Sequence, residues 1–359
     1  MKIALVCFRM GSPLSRVSLY SNELAVHLRC ENIDVTRLAS DQTDQPGVAH
    51  LRSTSDWNFT TKVSLRINAF VQHEGVDLVH IIGGFPESGI LTKIQVPVVY
   101  EFFGGSLFKT ELKSSIIQKL RGLSRKARAS WMMRRTIRNT DHFVVHSDQA
   151  LRALIQQYSV NRSSVSVVPM ATNEISYQSN VGALKGPSGV VILCDLPSKV
   201  GVLRALSDVR RMHADNGKLQ FTVLCDYASY FAMFRAVKNQ AMDTFVRCIE
   251  CRDDEDFTRE CFQSVLIVVP QTFLSRDRVV AEARVIGRPI AHFVSSTLEI
   301  VTDLLDTDLI ISRLPQGTDH SEPVMVGRGT DGCEKVIYPW QPALCAVSNM
   351  YSDLIDQRK

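Results

Sequence analysis

Residues 265–301 constrain the fold of this chain most strongly, because several short elements follow one another within them. Residues 265–269 (VLIVV) form a continuous apolar run, which is typical of a parallel strand covered on both faces. A short helical stretch follows, and Gly287-Arg288-Pro289 ends it before a second apolar run at 290–294. The segment therefore predicts a strand–helix–strand–helix unit of an α/β protein.

Two features of this segment suit an anionic or nucleotide ligand. Glu282 lies on the short helix near the carboxyl end of a strand, which is the edge of open α/β sheets where ligands bind. Ser296 and Glu299 have the spacing of a capping box and predict a further helix. The free N–H groups of that helix, around Ser295 and Thr297, would form an anion site. The alternative is that the capping box starts a helix and does nothing more.

The same residues resemble the donor half of the GT-B glycosyltransferases of family 4. That family carries a Glu, seven residues, a second Glu, then A-x-x-x-G-x-P and a strand. Glu282, Gly287, Pro289 and Glu299 match the family spacing, whereas Leu274 replaces the first Glu. The resemblance implies that Glu282 holds the ribose hydroxyls of a nucleoside-diphosphate sugar, and that a sugar contact is lost at Leu274.

The chain also begins with an α/β pattern. A buried strand at 2–8 precedes a loop around Gly11 and an amphipathic helix at 18–29, and a second strand follows at 34–38. This order predicts the first βαβ unit of a doubly wound domain. Family 4 enzymes have a glycine pair in this loop, so the resemblance makes Gly11 a donor-binding candidate. The alternative is an ordinary turn residue.

Two strand ends in the first half carry acceptor-side candidates. His80 lies inside the predicted strand 77–82, which resembles the family's D-x-V-H element, and Gly83 and Gly84 follow it. Glu101 stands near the end of the predicted strand 96–103, where the family often has a His. The resemblance places acceptor groups at these strand ends. The alternatives are a core histidine at position 80 and a structural contact for Glu101.

In the second half, Lys199 stands where the family has the Lys of an R-x(4)-K-G phosphate clamp, and Cys194 replaces its Arg. Asp226-Tyr227-Ala228 replaces the family's G-x-G, a loop that allows close approach of a ligand. The resemblance therefore implies a donor phosphate held by one cation, Lys199, together with the helix N-terminus near Ser296.

A basic stretch stands out at 109–138, where ten Lys and Arg residues accompany Glu111 alone, a local net charge of +9 in a chain of net charge +4. Its apolar residues recur at helical spacing. A basic amphipathic helix predicts contact with an anionic membrane surface, and a solvated surface helix is the alternative. No nucleic-acid-binding motif accompanies the stretch. The predicted membrane patch consists of Lys119, Arg121, Arg125, Lys126, Arg128 and Trp131.

Length and composition set the remaining limits. At 359 residues the chain is too long for one typical core, and two domains are expected. No apolar run approaches the roughly 18 residues of a membrane span. The chain has nine scattered cysteines, an odd number, which favours reduced thiols and a cytoplasmic location. With the basic stretch at 109–138, the predicted location is cytoplasmic with peripheral contact at the inner face of the membrane. Cys248-x-x-Cys251 lacks a second ligand pair, so no metal site is expected.

The repeated strand–helix order predicts two doubly wound Rossmann-like domains, and the resemblance implies that they face a cleft in a GT-B architecture. The first domain spans 1–180, a Gly/Ser/Pro-containing linker 181–189, and the second domain 190–338. Tyr338-Pro339-Trp340 resembles the Y-x-W ending of family 4 chains, whose final helix, here 339–359, crosses back to the first domain.

The resemblance implies a glycosyltransferase that moves a sugar from a nucleoside-diphosphate sugar to a glycan or a lipid-linked acceptor. Retention of anomeric configuration, no cofactor or metal, and no nucleic-acid partner are expected. The alternative is a catalytically inactive GT-B-like partner or regulatory protein. Four departures favour this alternative: Leu274, Cys194, the missing glycine pair and the missing G-x-G.

Overall fold

The computed structural model describes most of the chain, in two compact units. The described residues are 1–7, 16–39, 48–50, 56–83, 90–102, 131–168, 170–171, 189–195, 198–215, 220–270, 276–285, 288, 290–294, 297–299, 325–328, 334–337 and 340–358. Unit 1 comprises residues 1–11, 17–169 and 341–359, and unit 2 comprises residues 12–16 and 170–340. The predicted linker lies outside the described residues except for Gly189, so its position stays a prediction.

Unit 1 is built on a parallel sheet. Its strands are β1 (Lys2–Cys7), β2 (Asp34–Ala39), β3 (Val48–His50), β4 (Leu78–Gly83), β5 (Val98–Phe102), β6 (His142–Val145) and β7 (Val165–Val167). Among the described residues the order is β3-β2-β1-β4-β5-β6-β7, and every pairing is parallel. The order reverses between β1 and β4, which makes the unit doubly wound.

Helices connect these strands. They are α1 (Val17–Cys30), α2 (Asp56–Glu74), α3 (131–139) and α4 (Asp148–Tyr158), and α9 (Trp340–Asp356) ends the chain. Ser147 caps α4, because its side chain accepts a hydrogen bond from the backbone N–H of Ala150. The buried strands carry almost only apolar side chains, as a sheet covered on both faces requires.

Unit 2 repeats this plan. Its strands are β8 (Val190–Cys194), β9 (Phe221–Cys225), β10 (Val246–Glu250), β11 (Leu266–Pro270), β12 (Ile290–Val294) and β13 (Thr297–Glu299), and β14 (Met325–Arg328) pairs with β15 (Glu334–Ile337). Its helices are α5 (Lys199–Asp215), α6 (Tyr227–Asn239), α7 (Asp254–Gln263) and α8 (Arg276–Val285). The described sheet has the order β10-β9-β8-β11-β12-β13 and is parallel except at β13.

The core of unit 2 covers both faces of its sheet. Val190, Ile192 and Cys194 pack into one apolar cluster, whereas Val191 and Leu193 pack into another. Successive side chains of a strand point to opposite faces, so one apolar run supplies both clusters. The order of this sheet reverses between β8 and β11, and the carboxyl ends of these strands form the edge where ligands of such sheets bind.

The final helix packs within unit 1. Leu344, Val347 and Tyr351 of this helix are buried. At its end, the Arg358 guanidinium donates to both carboxylate oxygens of Asp141, at 2.8 and 3.0 Å. The expectation that the chain ends with a helix belonging to the first domain is confirmed.

One predicted element is wrong. The sequence suggested that a helix starts at Ser296, but residues Thr297–Glu299 form β13, which pairs antiparallel with β12. The pairing of Val294 with Thr297 leaves a two-residue connection, as in a tight hairpin. Residues Thr297–Glu299 thus pair with the edge of the sheet, although Ser296 and Glu299 have the spacing of a capping box. The anion site predicted at Ser295, Ser296 and Thr297 therefore loses the helix N-terminus on which it rested.

Candidate functional site

Glu282 lies near the ligand-binding edge of the unit 2 sheet. It is on α8, the helix that follows β11, and β11 is one of the two strands at the reversal of strand order. Only 1% of the residue is exposed. A carboxylate this deeply buried needs partners of opposite charge.

Two arginines supply those partners. Arg16 Nε donates to Glu282 Oε2 at 2.8 Å, and Arg16 Nη2 donates to Oε1 at 2.9 Å. Arg278, one helical turn before Glu282, donates from Nε to Oε1 at 2.7 Å and from Nη1 to the carbonyl of Ala171. Both arginines are buried. The carboxylate assigned to ribose by the resemblance is therefore fully engaged by protein side chains in this structure.

Arg16 is held by more than Glu282. It groups with unit 2 through the segment 12–16. Its Nη1 lies 2.5 Å from Asp254 Oδ1, at the start of α7, and its guanidinium lies 4.3 Å from the centroid of the Phe257 ring. Its backbone has φ 52°, a left-handed conformation that side chains other than glycine seldom adopt. Such a conformation persists when surrounding contacts outweigh its cost, and it marks a candidate functional residue.

Burial alone would raise the pKa of Glu282, but the charges of Arg16 and Arg278 outweigh this and lower the pKa below its ordinary value. The carboxylate is therefore ionised at neutral pH. We call Arg16, Asp254, Arg278 and Glu282 the arginine–carboxylate cluster. Of these contacts, only the one between Arg278 and Glu282 is recorded by local spacing, because the two residues are four positions apart on one helix.

Lys199 is the first residue of α5 and is half-buried. Its backbone N–H donates to the carbonyl of Asp195 at 2.9 Å, and its side chain makes no hydrogen bond or ion pair with the described residues. Asp195, buried beside it, accepts from the N–H of Ser198 at 2.9 Å. The predicted phosphate cation is thus available, but a buried carboxylate stands at the same helix start.

Cys194 and Asp226 complete this edge of the sheet. Cys194 is buried, and its carbonyl accepts from the N–H of Asp226 and from the hydroxyl of Ser229. Asp226 caps α6, and its side chain accepts from the N–H of Ser229 at 2.8 Å. The family's glycine loop is replaced by a capped helix start. Asp195 and Asp226 thus place two carboxylates at adjacent strand ends of this edge.

Unit 1 contains a second buried polar group, centred on Glu101. Its Oε1 accepts from the hydroxyl of Tyr20 at 2.6 Å and lies 3.0 Å from His146 Nε2. Its Oε2 lies 3.1 Å from His80 Nε2. The hydroxyl of Tyr351, on α9, lies 2.5 Å from His80 Nδ1. We call these five residues the histidine–glutamate cluster. Tyr20 and Tyr351 lie on helices α1 and α9, and the other three residues lie in or directly after strands β4, β5 and β6.

The contacts of His146 place one of its protons. Its Nδ1 lies 2.9 Å from the carbonyl of Val168, which can only accept, so Nδ1 carries a proton. Its Nε2 lies 3.0 Å from Glu101 Oε1. Burial alone would raise the pKa of Glu101, but His146 and His80 lower it to about 2.

His80 and Glu101 are both fully buried. Their predicted acceptor-side roles stay predictions. The structure places His80 Nε2 3.1 Å from Glu101 Oε2, and His80 Nδ1 2.5 Å from the hydroxyl of Tyr351. Gly83 is the buried last residue of β4. The other glycine candidates, Gly11 and Gly84, lie outside the described residues, as does Leu274.

The remaining site predictions fall partly outside the described chain. Ser295 and Ser296 lie outside it, and Thr297 and Glu299 belong to β13. Trp131 begins the described helix α3 and is 46% exposed. The other members of the predicted membrane patch, which are Lys119, Arg121, Arg125, Lys126 and Arg128, lie outside the described residues.

The Cys248-x-x-Cys251 pair shows no sign of reactivity. Both thiols are free, and burial raises the pKa of each to about 12. Among the described residues, no group of three His, Cys, Asp or Glu side chains is placed to hold a metal ion. No helix in the described part of the chain is long and apolar enough to span a bilayer.

Part of the chain matches the sequence model of a known family. The sequence model of Glycosyltransferase Family 4 matches residues 17–174, which fall mainly in unit 1. No curated protein sequence matches the chain. The match begins at α1 and ends just after β7, so it covers the first doubly wound sheet except for β1.

Solved structures resemble most or nearly all of the chain. Sucrose-phosphate synthase from Thermosynechococcus elongatus has a TM-score of 0.67 at 14% identity, covering 99% of this chain and 100% of its own. WaaG, a glycosyltransferase of lipopolysaccharide biosynthesis, has a TM-score of 0.53 at 11% identity, with coverage of 81% and 80%. UDP-GlcNAc 2-epimerase from Neisseria meningitidis, bound to UDP-GlcNAc, has a TM-score of 0.54 at 12% identity, with coverage of 83% and 84%.

At these identities the likeness shows the fold. The parallel sheets of both units and the final helix agree with it. The chain therefore has the GT-B fold, and its residues 17–174 are similar to Glycosyltransferase Family 4.

Proposed function

We propose that this protein is a glycosyltransferase that moves a sugar from a nucleoside-diphosphate sugar to a glycan or a lipid-linked acceptor. The family match at residues 17–174 supports sugar transfer as the reaction class. Structural relatives include two sugar-transferring enzymes and an epimerase bound to UDP-GlcNAc, which supports a nucleotide sugar as the ligand.

The position of Glu282 is the observation that carries the donor assignment. It lies on the helix after β11, beside the reversal of strand order in unit 2, where nucleotides bind in open α/β sheets. Its carboxylate is ionised, and Arg278 orients it from one turn away. An ionised and oriented carboxylate suits two neighbouring ribose hydroxyls, provided that Arg16 gives way.

In the proposed reaction, the acceptor oxygen attacks the anomeric carbon of the donor. The bond from that carbon to the diphosphate breaks, and the acceptor proton passes to the departing diphosphate on the same face, so configuration is retained. Lys199, at the start of α5, would stabilise the negative charge that develops on the leaving group. The proposal includes no metal or other cofactor.

On the acceptor side, the proposal retains His80, Gly83 and Glu101 as residues that shape unit 1 near its strand ends. The exposed Trp131 and the basic residues that precede it would hold the protein against an anionic membrane surface. A lipid-linked acceptor would be reached from that surface.

A second candidate function is that of a catalytically inactive GT-B partner or regulatory protein. The arginine–carboxylate cluster favours it, because Glu282 already accepts three hydrogen bonds from Arg16 and Arg278. Asp195 and Asp226 also place negative charge where a diphosphate would need positive charge. In this candidate, the cluster serves to hold unit 2 together and no nucleotide binds.

Thermal unfolding with a panel of nucleosides, nucleoside diphosphates and their sugar derivatives tests the proposal. A ligand present at 100 times its dissociation constant stabilises a protein by about 2.7 kcal/mol, which is a readily measured shift. We expect a shift with one family of nucleoside diphosphates and a smaller one with the bare nucleoside.

Lys199→Ala should remove the difference between the thermal shifts caused by the nucleoside diphosphate and by the nucleoside, because in the proposal the Lys199 ammonium binds the phosphates. Lys238→Ala changes another lysine of unit 2, an exposed one on α6, and is the control that should leave the difference intact. If every member of the panel fails to shift the wild-type protein, the inactive-partner candidate replaces the enzyme.

A further inference from the structure

Helix α6 exposes an unusual row of aromatic side chains. Tyr227 is 72% exposed, Phe231 58% and Phe234 38%. Their spacing of four and three residues places them on one face of the helix. The opposite face packs into the core of unit 2 through Ser229, Met233 and Val237. The aromatic face is therefore not needed to hold the helix on its sheet.

The aromatic rings touch one another along the helix. The ring of Tyr230 lies edge-on to Phe231 with centroids 5.4 Å apart, and stacks on Phe234 at 6.0 Å. Tyr227 meets Phe231 edge-on at 6.4 Å. Single exposed apolar residues are common on proteins, but a contiguous patch marks a surface that binds something.

The charged side chains that α6 itself carries beside this patch are basic. Arg235 and Lys238 are exposed on the last turns of α6, and the Lys238 ammonium lies 4.8 Å from the Phe234 ring centroid. Arg210 reaches the same end, since its Nη2 donates to the carbonyl of Gln240. Helix α6 contains no acidic residue. The nearest acids along the chain are Asp226, which is buried as the helix cap, and Asp243, which follows in the next turn.

The size of the patch argues against a stable dimer through this face. An aromatic side chain buries roughly 150–250 Å², so the exposed fractions of Tyr227, Phe231 and Phe234 correspond to about 250–400 Å². A standard protein interface buries about 800 Å² on each partner. A lipid surface needs no matching shape, and it suits aromatic rings at headgroup level flanked by Lys and Arg.

A helix in unit 1 has the same composition. Trp131 of α3 is 46% exposed, and the Arg135 guanidinium lies 5.7 Å from its ring centroid. Arg134 and Arg138 are also exposed, and the described helix 131–139 has no acidic residue. Each unit thus presents a helix with an exposed aromatic ring, a cation over that ring and no negative charge. The repeated chemistry favours one kind of partner for both.

We propose that the face of α6 formed by Tyr227, Phe231, Phe234, Arg235 and Lys238 binds an anionic lipid surface. The aromatic rings enter the headgroup layer, and the basic side chains pair with lipid phosphates. This surface belongs to unit 2, whereas the patch predicted around Trp131 belongs to unit 1. The inference does not rest on sugar transfer, and vesicle binding is measured independently of nucleotide binding.

Vesicle flotation with the full chain tests this inference. We expect the wild-type protein to float with vesicles that contain phosphatidylglycerol and to stay behind with phosphatidylcholine alone. The triple variant Tyr227→Ser/Phe231→Ser/Phe234→Ser should bind roughly tenfold or more weakly, since it loses most of the apolar contact area. Val26→Ser/Leu65→Ser is the matched control, because these side chains are 56% and 59% exposed elsewhere, and it should bind as the wild type does.

The charge contribution is tested in the same way. Arg235→Glu/Lys238→Glu should weaken binding by about tenfold or more and remove its dependence on phosphatidylglycerol. Arg66→Glu/Lys93→Glu reverses two exposed charges on unit 1 and serves as the control. All substituted side chains are exposed, so the variants should unfold at the wild-type temperature.

Three results would overturn the inference. The first is a wild-type protein that binds neither vesicle. The second is anionic vesicle binding that both α6 variants leave unchanged, which would assign it to another surface such as that of Trp131. The third is a concentration-dependent increase in molecular mass that the aromatic variant abolishes, without vesicle binding, which would make the partner a second copy of the chain.

Discussion

Arg16 is the residue that bears most directly on the proposed ligand role of Glu282. Its guanidinium engages both oxygens of the carboxylate and is itself buried in a strained backbone conformation. A ribose that approaches Glu282 must therefore displace it, at the cost of charged hydrogen bonds worth about 1.5–3 kcal/mol each.

Arg16→Gln should raise nucleotide affinity on the order of tenfold, because the neutral side chain competes less well for Glu282. Isothermal titration checks this with the nucleotide that the panel identifies. Arg247→Gln is the control, since Arg247 pairs with the buried Glu260 of the same unit at 2.6 Å. A lower affinity in Arg16→Gln would mean that Arg16 contacts the ligand and does not oppose it.

Glu101 should make stability depend on pH in the acid range. Its pKa in the folded protein is about 2, compared with an ordinary value of 4.5. A lowered pKa stabilises the fold above the ordinary value, and this contribution is lost as the pH falls from 4.5 towards 2. The shift corresponds to a contribution on the order of 3 kcal/mol.

Denaturant unfolding at a series of pH values measures this contribution. Glu101→Gln should flatten the acid-range slope of the free energy of unfolding, because it removes the carboxyl whose pKa is lowered by His146 and His80. Glu260→Gln, at another buried carboxylate, should retain the wild-type slope. Equal slopes in wild type and Glu101→Gln would contradict the lowered pKa of Glu101.

At the scale of elements, α9 is attached to unit 1 by a buried polar contact as well as by apolar packing. Tyr351 is fully buried, and its hydroxyl lies 2.5 Å from His80 Nδ1. Burial raises the pKa of Tyr351, and the charge of Glu101 raises it further, so the hydroxyl keeps its proton. The final helix thereby connects to the histidine–glutamate cluster.

Tyr351→Phe should lower the free energy of unfolding by about 1–3 kcal/mol, because His80 Nδ1 loses its buried partner. Removing Arg358, whose contacts with Asp141 are partly exposed, should cost less than about 1 kcal/mol. Urea unfolding of the two variants provides the comparison. If Tyr351→Phe were as stable as the wild type, the contact with His80 would not hold the helix.

The elements also show where sequence patterns were sufficient. Buried strands such as 190–194 have continuous apolar runs, which are visible in the sequence. Strand β3 was missed because three residues at a sheet edge are too few to show a period. Strand β13 was mistaken for a helix start, because its pairing with β12 is stronger than the capping signal in Ser296 and Glu299.

For the whole molecule, the alternation of strands and helices was sufficient to predict two doubly wound sheets, and the family resemblance implied the GT-B fold. The contacts of the candidate site could not be predicted in this way. Arg16 and Glu282 are 266 positions apart, and Tyr351 and His80 are 271 apart. Their meeting depends on the complete fold, and no local period records it. The resemblance located Glu282 but could not reveal that arginines engage it.

Isothermal titration of nucleoside-diphosphate sugars into the wild-type protein, Glu282→Gln and Glu260→Gln tests the central claim most directly. Glu282→Gln keeps the shape of the side chain and removes the charge, whereas Glu260→Gln makes the same change at a buried carboxylate on α7. We predict that the wild type and Glu260→Gln bind one nucleoside-diphosphate sugar equally, and that Glu282→Gln binds it about 10 to 100 times more weakly. Equal binding by all three proteins would show that the donor lies elsewhere, and no binding by any of them would contradict a glycosyltransferase.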